Sequence, residues 1–166
     1  VTEVAQNDAK RLQQQAALLD IQQQLSQQFA PLIEQQLFSI NGTEAWIEIQ
    51  IADSITFSPG SADITNNAEA MLYEVGKILS ELSLPVAVEG YSLSQESTSS
   101  LASWQLSAQR AINVLSYLQR AGIQGQRLSA TAFGHYQPTR AGARAQQGTL
   151  SILVAGFGAN VRAVGS

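Results

Sequence analysis

The sequence predicts an α/β fold, an α+β two-layer sandwich built on a mixed sheet, from three observations. Apolar residues recur at three- and four-residue steps in three separated stretches, the signature of amphipathic helices. Short runs with alternating or continuous apolar character lie between and after them. The last two of these strands have no helix between them, so a purely parallel sheet is excluded and both domain helices are expected on one face.

Residues 5–38 read as helix, with Leu18, Leu25 and Leu32 at heptad spacing among Gln-rich faces. Two readings of that stripe stand side by side: a short coiled coil with a second chain, or packing on the chain's own domain. Pro31 is expected to kink or break this helix, because proline lacks an N–H and clashes with the preceding turn. Asn41-Gly42 predicts a type I′ hairpin joining Leu37–Ile40 to Glu44–Ile51. In the second strand Ile47, Ile49 and Ile51 alternate with Glu48 and Gln50, the pattern of a half-buried strand. Ser54 to Thr65 reads as loop, with Pro59-Gly60 as its turn.

Thr65 is placed to cap a helix with an apolar stripe from Ala68 through Met71, Leu72, Val75, Ile78 and Leu79 to Leu82. Pro85 ends that segment and Val86–Glu89 forms the next strand. A helix over about 102–121 follows, with Trp104, Ala108, Ala111, Leu115 and Leu118 as its expected buried face and Gly122 as its C-terminal stop. Arg127–Gly134 and Thr149–Phe157 read as strands separated by a polar loop. The domain division expected is an amphipathic helix and linker at 1–36, a folded domain at 37–158 and a flexible tail at 159–166.

Composition narrows the function. The 166 residues are 45% hydrophobic but only 13% charged, with a net charge of −4 and no basic cluster, which argues against a nucleic-acid partner. No run reaches the roughly 18 apolar residues of a membrane span. With no cysteine there is no disulfide framework or thiolate metal site. No nucleophile elbow, phosphate loop or paired histidine ligands occur, so neither enzyme, metal site nor cofactor is expected. His135, the single histidine, reads as a surface residue in a Gly/Pro-containing loop.

The stretch from Pro85 to Ala111 joins a strand ending at Gly90, a polar Ser/Thr/Gln/Glu loop and a helix bearing one cation, Arg110. Such a loop between rigid elements is a natural shelf for a small polar ligand. Read from the residues alone, Arg110 packs its stem on the sheet edge while its head meets solvent or a backbone carbonyl. Trp104 reads as core, or as a wall of the pocket.

Four stretches in order resemble the OmpA-like peptidoglycan-associated domain, a βαβαββ unit, and especially the periplasmic part of flagellar stator B subunits. They are FSPGSADIT (57–65), VEGYSLSQ (88–95), SWQLSAQRA (103–111) and RLSATAFGHYQP (127–138). The resemblance implies non-catalytic, non-covalent holding of the diaminopimelate-containing peptide stem of peptidoglycan. It implies a ligand site at Arg110 with Tyr91, Ser92, Leu93, Trp104 and Leu106 around it. It also implies a periplasmic location, an inner-membrane tether upstream of Val1, a homodimer and a membrane stator partner. An arginine fork meets a carboxylate through two parallel charged hydrogen bonds. The family's Asp, which takes the ligand ammonium, falls on Leu93, and its closing Asn-Arg-Arg falls on Gln147, Gly148 and Thr149. These departures give the alternative reading, a scaffold that has lost wall binding and acts in dimerisation or protein interaction. On the ligand reading, Arg110→Ala is expected to weaken wall binding and leave stability nearly unchanged.

Overall fold

The computed structural model describes residues 2–93, 96–136 and 148–155. Their elements are α1 (Thr2–Gln28), α2 (Ala30–Glu34), β1 (Phe38–Gly42), β2 (Trp46–Ala52), α3 (Asp53–Thr56), α4 (Asn66–Leu79), β3 (Val86–Gly90), α5 (Ser100–Arg120), β4 (Leu128–Ala132) and β5 (Thr149–Ala155). The expected α+β two-layer architecture with a mixed sheet is present. Strand order is β1-β2-β5-β3-β4, with β3 parallel to β4 and every other pairing antiparallel. The helix-crossed pair β3–α5–β4 is the parallel one, as the crossover requires.

One hydrophobic core joins the sheet to its helices. Ile47, Ile49 and Ile51 of β2, Val86 and Val88 of β3, and Leu150, Ile152 and Val154 of β5 pack with Leu72, Val75 and Leu79 of α4 and Val114 and Leu118 of α5. Each such side chain contributes about 1.5–3 kcal/mol when fully buried. The C-terminal half of α1 belongs to this core through Leu18, Ile21 and Leu25, whereas its N-terminal half is exposed. The helix breaks at Phe29, two residues before Pro31, which lies in the first turn of α2; the chain is then extended from Phe38, so the long helix stops well short of residue 38.

Two local expectations are corrected. Asn41 and Gly42 lie within β1, paired with Glu48 and Ile47, and the reversal is made by Thr43–Trp46, closed by Thr43 N–H donating to the Trp46 carbonyl (2.9 Å). Gly42 is required for closeness rather than for a positive φ: a Cβ there would stand 2.6 Å from the Trp46 carbonyl oxygen. Glu48 and Gln50 are buried, not solvated, because β2 lies inside the sheet between β1 and β5; Gln50 Nε2 donates to Glu48 Oε1 (3.1 Å).

Thr65 caps α4, accepting from Ala68 N–H (3.3 Å), and Ser99 caps α5, accepting from Ala102 N–H (3.1 Å). The buried face of α5 is Ser103, Ser107, Arg110, Ala111, Val114 and Leu118. That face is rotated from the expected one, and Trp104 is 39% exposed. Close packing explains the rotation. A Cβ on Gly90 would run into the Ser107 carbonyl and touch Ala111, so small groups on both sides bring the end of β3 directly onto α5. The polar loop 137–147 and the tail from residue 156 onward, including the expected end of the last strand, lie outside the described residues.

Candidate ligand-binding site

The contact between Gly90 and α5 fixes where the loop after β3 must go. Ser92 is fastened twice, its N–H donating to the Gly134 carbonyl (2.7 Å) and its hydroxyl to the Ser103 carbonyl (3.1 Å). From the third turn of α5, Arg110 reaches up beneath this loop. Its guanidinium is 2% exposed and lies 5.0 Å from the centre of the Phe57 ring.

The head of Arg110 is enclosed by partners from three parts of the chain. Nε donates to the Ser61 carbonyl (2.9 Å) and Nη1 to the Tyr91 carbonyl (3.3 Å). Nη1 and Nη2 then clasp the two carboxylate oxygens of Glu96 at 3.0 and 2.7 Å, a fork-to-fork pair. Glu96 also accepts from Leu93 N–H (2.8 Å). Burial pushes the Glu96 carboxyl up, but the hydrogen bonds from Arg110 and the Leu93 amide, with the arginine charge, hold it below the ordinary value.

A second carboxylate stands behind the first. Asp53 begins α3, its N–H donates to the Gly148 carbonyl (2.7 Å), and Oδ2 lies 3.6 Å from Arg110 Nη1. Its side chain is 11% exposed, and neither oxygen has a hydrogen-bond partner among the described residues. Burial raises its pKa to about 7, opposed by Arg110 and reinforced by Glu96. The proton is therefore favoured in the fold, so Asp53 contributes stability below pH 4 that is lost as pH rises through 7. Asp53→Asn is expected to match the wild type at pH 4 and to exceed its stability at pH 8, by up to about 4 kcal/mol, since each tenfold change in proton affinity is worth about 1.4 kcal/mol. Urea denaturation at the two pH values measures this; equal stability at both would contradict it.

The sequence-predicted site residues divide. Arg110, the backbone of Tyr91 and the amide of Leu93 converge on one point. The Tyr91 ring does not join them; it stacks on Phe133 (5.2 Å) and its hydroxyl donates to Glu89 Oε1 (3.1 Å). Burial, with the Glu48 charge, pushes that phenol above its usual pKa. Ser92 is a fastener of the loop. Trp104 lies against Gly134 and Tyr136 rather than in the core, and Leu106 is half-buried on α5. Sequence reasoning missed Asp53 and the carbonyl of Ser61; nothing local in the sequence brings residues 53, 61, 96 and 110 together. Among the described residues no group of His, Cys, Asp or Glu is arranged to hold a metal, and no helix is long and apolar enough to cross a membrane.

A family model described as the OmpA family matches residues 56–160, more than half of the chain. The chain resembles a putative MotB-like protein from Desulfovibrio vulgaris, with TM-score 0.67 and 18% identity over 87% of this chain and 98% of that one. It also resembles the cell wall anchor of the T6SS from Pseudomonas aeruginosa, with TM-score 0.66 and 21% identity over 80% and 96%. Among curated proteins, the uncharacterized protein YtxE of Bacillus subtilis (strain 168) is 24% identical over 100 residues, 58% of this chain; the aligned stretch spans only 41% of that protein.

Proposed function

This chain belongs to the OmpA family, and from that premise we propose that it is a non-catalytic module that holds the peptide stem of peptidoglycan. The observation that carries the reading is the carboxylate already gripped in the Arg110 fork, which gives the position the chemistry of a carboxylate receptor. The likeness to a cell wall anchor and to a MotB-like protein supports the same class of role. In the finer reading the module works in the periplasm, is tethered to the inner membrane by a segment upstream of Val1, and serves a flagellar-motor-stator-like complex. The exposed face of α1, with Val4, Leu12 and Leu19 on its surface, is the natural element for pairing with a second copy.

A second reading is favoured by one specific observation. Arg110 is satisfied inside the protein and Leu93 stands where the family carries an acid, so the scaffold would serve protein interaction alone. Co-sedimentation with purified sacculi separates the two. On the wall-binding reading the whole chain pellets with sacculi, and Arg110→Lys, which cannot make the planar fork, reduces the pelleted fraction several-fold. A chain that stays in the supernatant overturns wall binding and leaves the interaction reading.

A further inference from the structure

We propose that Glu96 is a tethered occupant of the carboxylate position on Arg110, and that a ligand carboxylate binds by displacing it. The inference rests on the wall-peptide reading and names the residue that sets its affinity. Arginine has five N–H bonds. Nε uses one on Ser61, Nη1 uses two on Tyr91 and Glu96, and Nη2 uses one on Glu96. The two parallel bonds that recognise a carboxylate are thus made to Glu96, and an incoming carboxylate needs the same two.

The partners differ in how readily they leave. Ser61 and Tyr91 contribute backbone carbonyls, and the Tyr91 carbonyl belongs to a loop pinned through Ser92 to Ser103 and Gly134. Glu96 contributes only a side chain. It is the outer partner, 16% exposed against 2% for Arg110, and its carboxylate can rotate toward solvent while the backbone carbonyls stay in place. Removing it does not strand a buried cation, because Asp53 remains 3.6 Å from Nη1, and loss of the Glu96 charge, which helps to keep the Asp53 proton on, lets Asp53 ionise beside the arginine. Arg110 therefore faces two internal carboxyl groups: Asp53 from α3, which stays in place, and Glu96 from the loop, which yields its position.

A tethered competitor lowers the apparent affinity of a free ligand by the fraction of time the position is open. Removing one charged hydrogen-bonding partner corresponds to roughly a tenfold to hundredfold change. Calorimetry with diaminopimelate as the probe, on the whole chain, reads this directly. Glu96→Ala is expected to bind roughly tenfold to a hundredfold more tightly than the wild type, and Glu96→Gln, which keeps the shape without the charge, to fall between them. Glu96→Gln carries the test if the alanine variant does not fold. Addition of Arg110→Lys to either variant is expected to abolish the gain. If the Glu96 variants bind no more tightly while the wild type pellets with sacculi through Arg110, the tethered-occupant role is overturned and the wall reading stands. If neither the wild type nor the Glu96 variants bind diaminopimelate or sacculi, both fall.

Discussion

Arg110→Ala is expected to destabilise the protein by about 3–5 kcal/mol, the usual cost of removing one member of a buried ion pair. This replaces the expectation from sequence that stability would be nearly unchanged. The guanidinium is buried, bonded to two carbonyls and one carboxylate, and faces a second carboxylate. Its loss leaves Glu96 and Asp53 close together with no cation between them, and two carbonyls without their donors. Urea denaturation of the single variants and of Arg110→Ala/Glu96→Ala measures the effect. The double variant is expected to lose less than the two single losses combined, because the second change removes the stranded Glu96 charge. A loss under about 1 kcal/mol for Arg110→Ala alone would contradict the buried network.

Leu25→Ala is expected to cost about 2–5 kcal/mol, the range for truncating a fully buried leucine. Leu25 lies in α1, outside the stretch from residue 37 onward that carries the sheet, yet it is fully buried in the core with Leu18 and Ile21. For a chain of this length the change lowers the melting temperature by roughly 4–20 °C. Ser26, the next residue, is exposed, and Ser26→Ala is expected to stay within about 0.5 kcal/mol of the wild type. An unchanged melting temperature for Leu25→Ala would mean that the lower half of α1 is dispensable to the fold.

The periodic elements were legible because their signals are local. The stripe from Ala68 to Leu79, its Thr65 cap and the apolar runs of β2, β3 and β5 each follow from residue spacing. The hairpin turn was misplaced because the Asn-Gly signal has a competing use. Gly42 is needed inside a strand where the Trp46 carbonyl approaches, and the turn moved to Thr43–Trp46. The α5 face was misjudged because serine reads as polar: Ser103 and Ser107 are buried for their small size, and the larger, more apolar Trp104 is left outside.

Of the site, Arg110 and the loop before it were legible through a motif. Its surroundings were not. Asp53, Ser61 and Glu96 reach Arg110 from three parts of the chain, brought within reach by the sheet order and by the packing of β3 onto α5. Glu96 could be named from sequence as a nearby acid, but whether it faced a ligand or the arginine itself depended on the fold of the loop.

The central claim is that one buried arginine fork receives carboxylates, its own Glu96 at rest and a wall peptide's when bound. A ¹H–¹⁵N NMR titration of the whole chain with diaminopimelate tests it at the atoms concerned. The account predicts shifts concentrated at the Arg110 side-chain Nε–H, the Leu93 amide released by Glu96 and the Glu96 backbone. Saturating ligand that leaves these three signals unmoved, or moves only signals remote from Arg110, would contradict it.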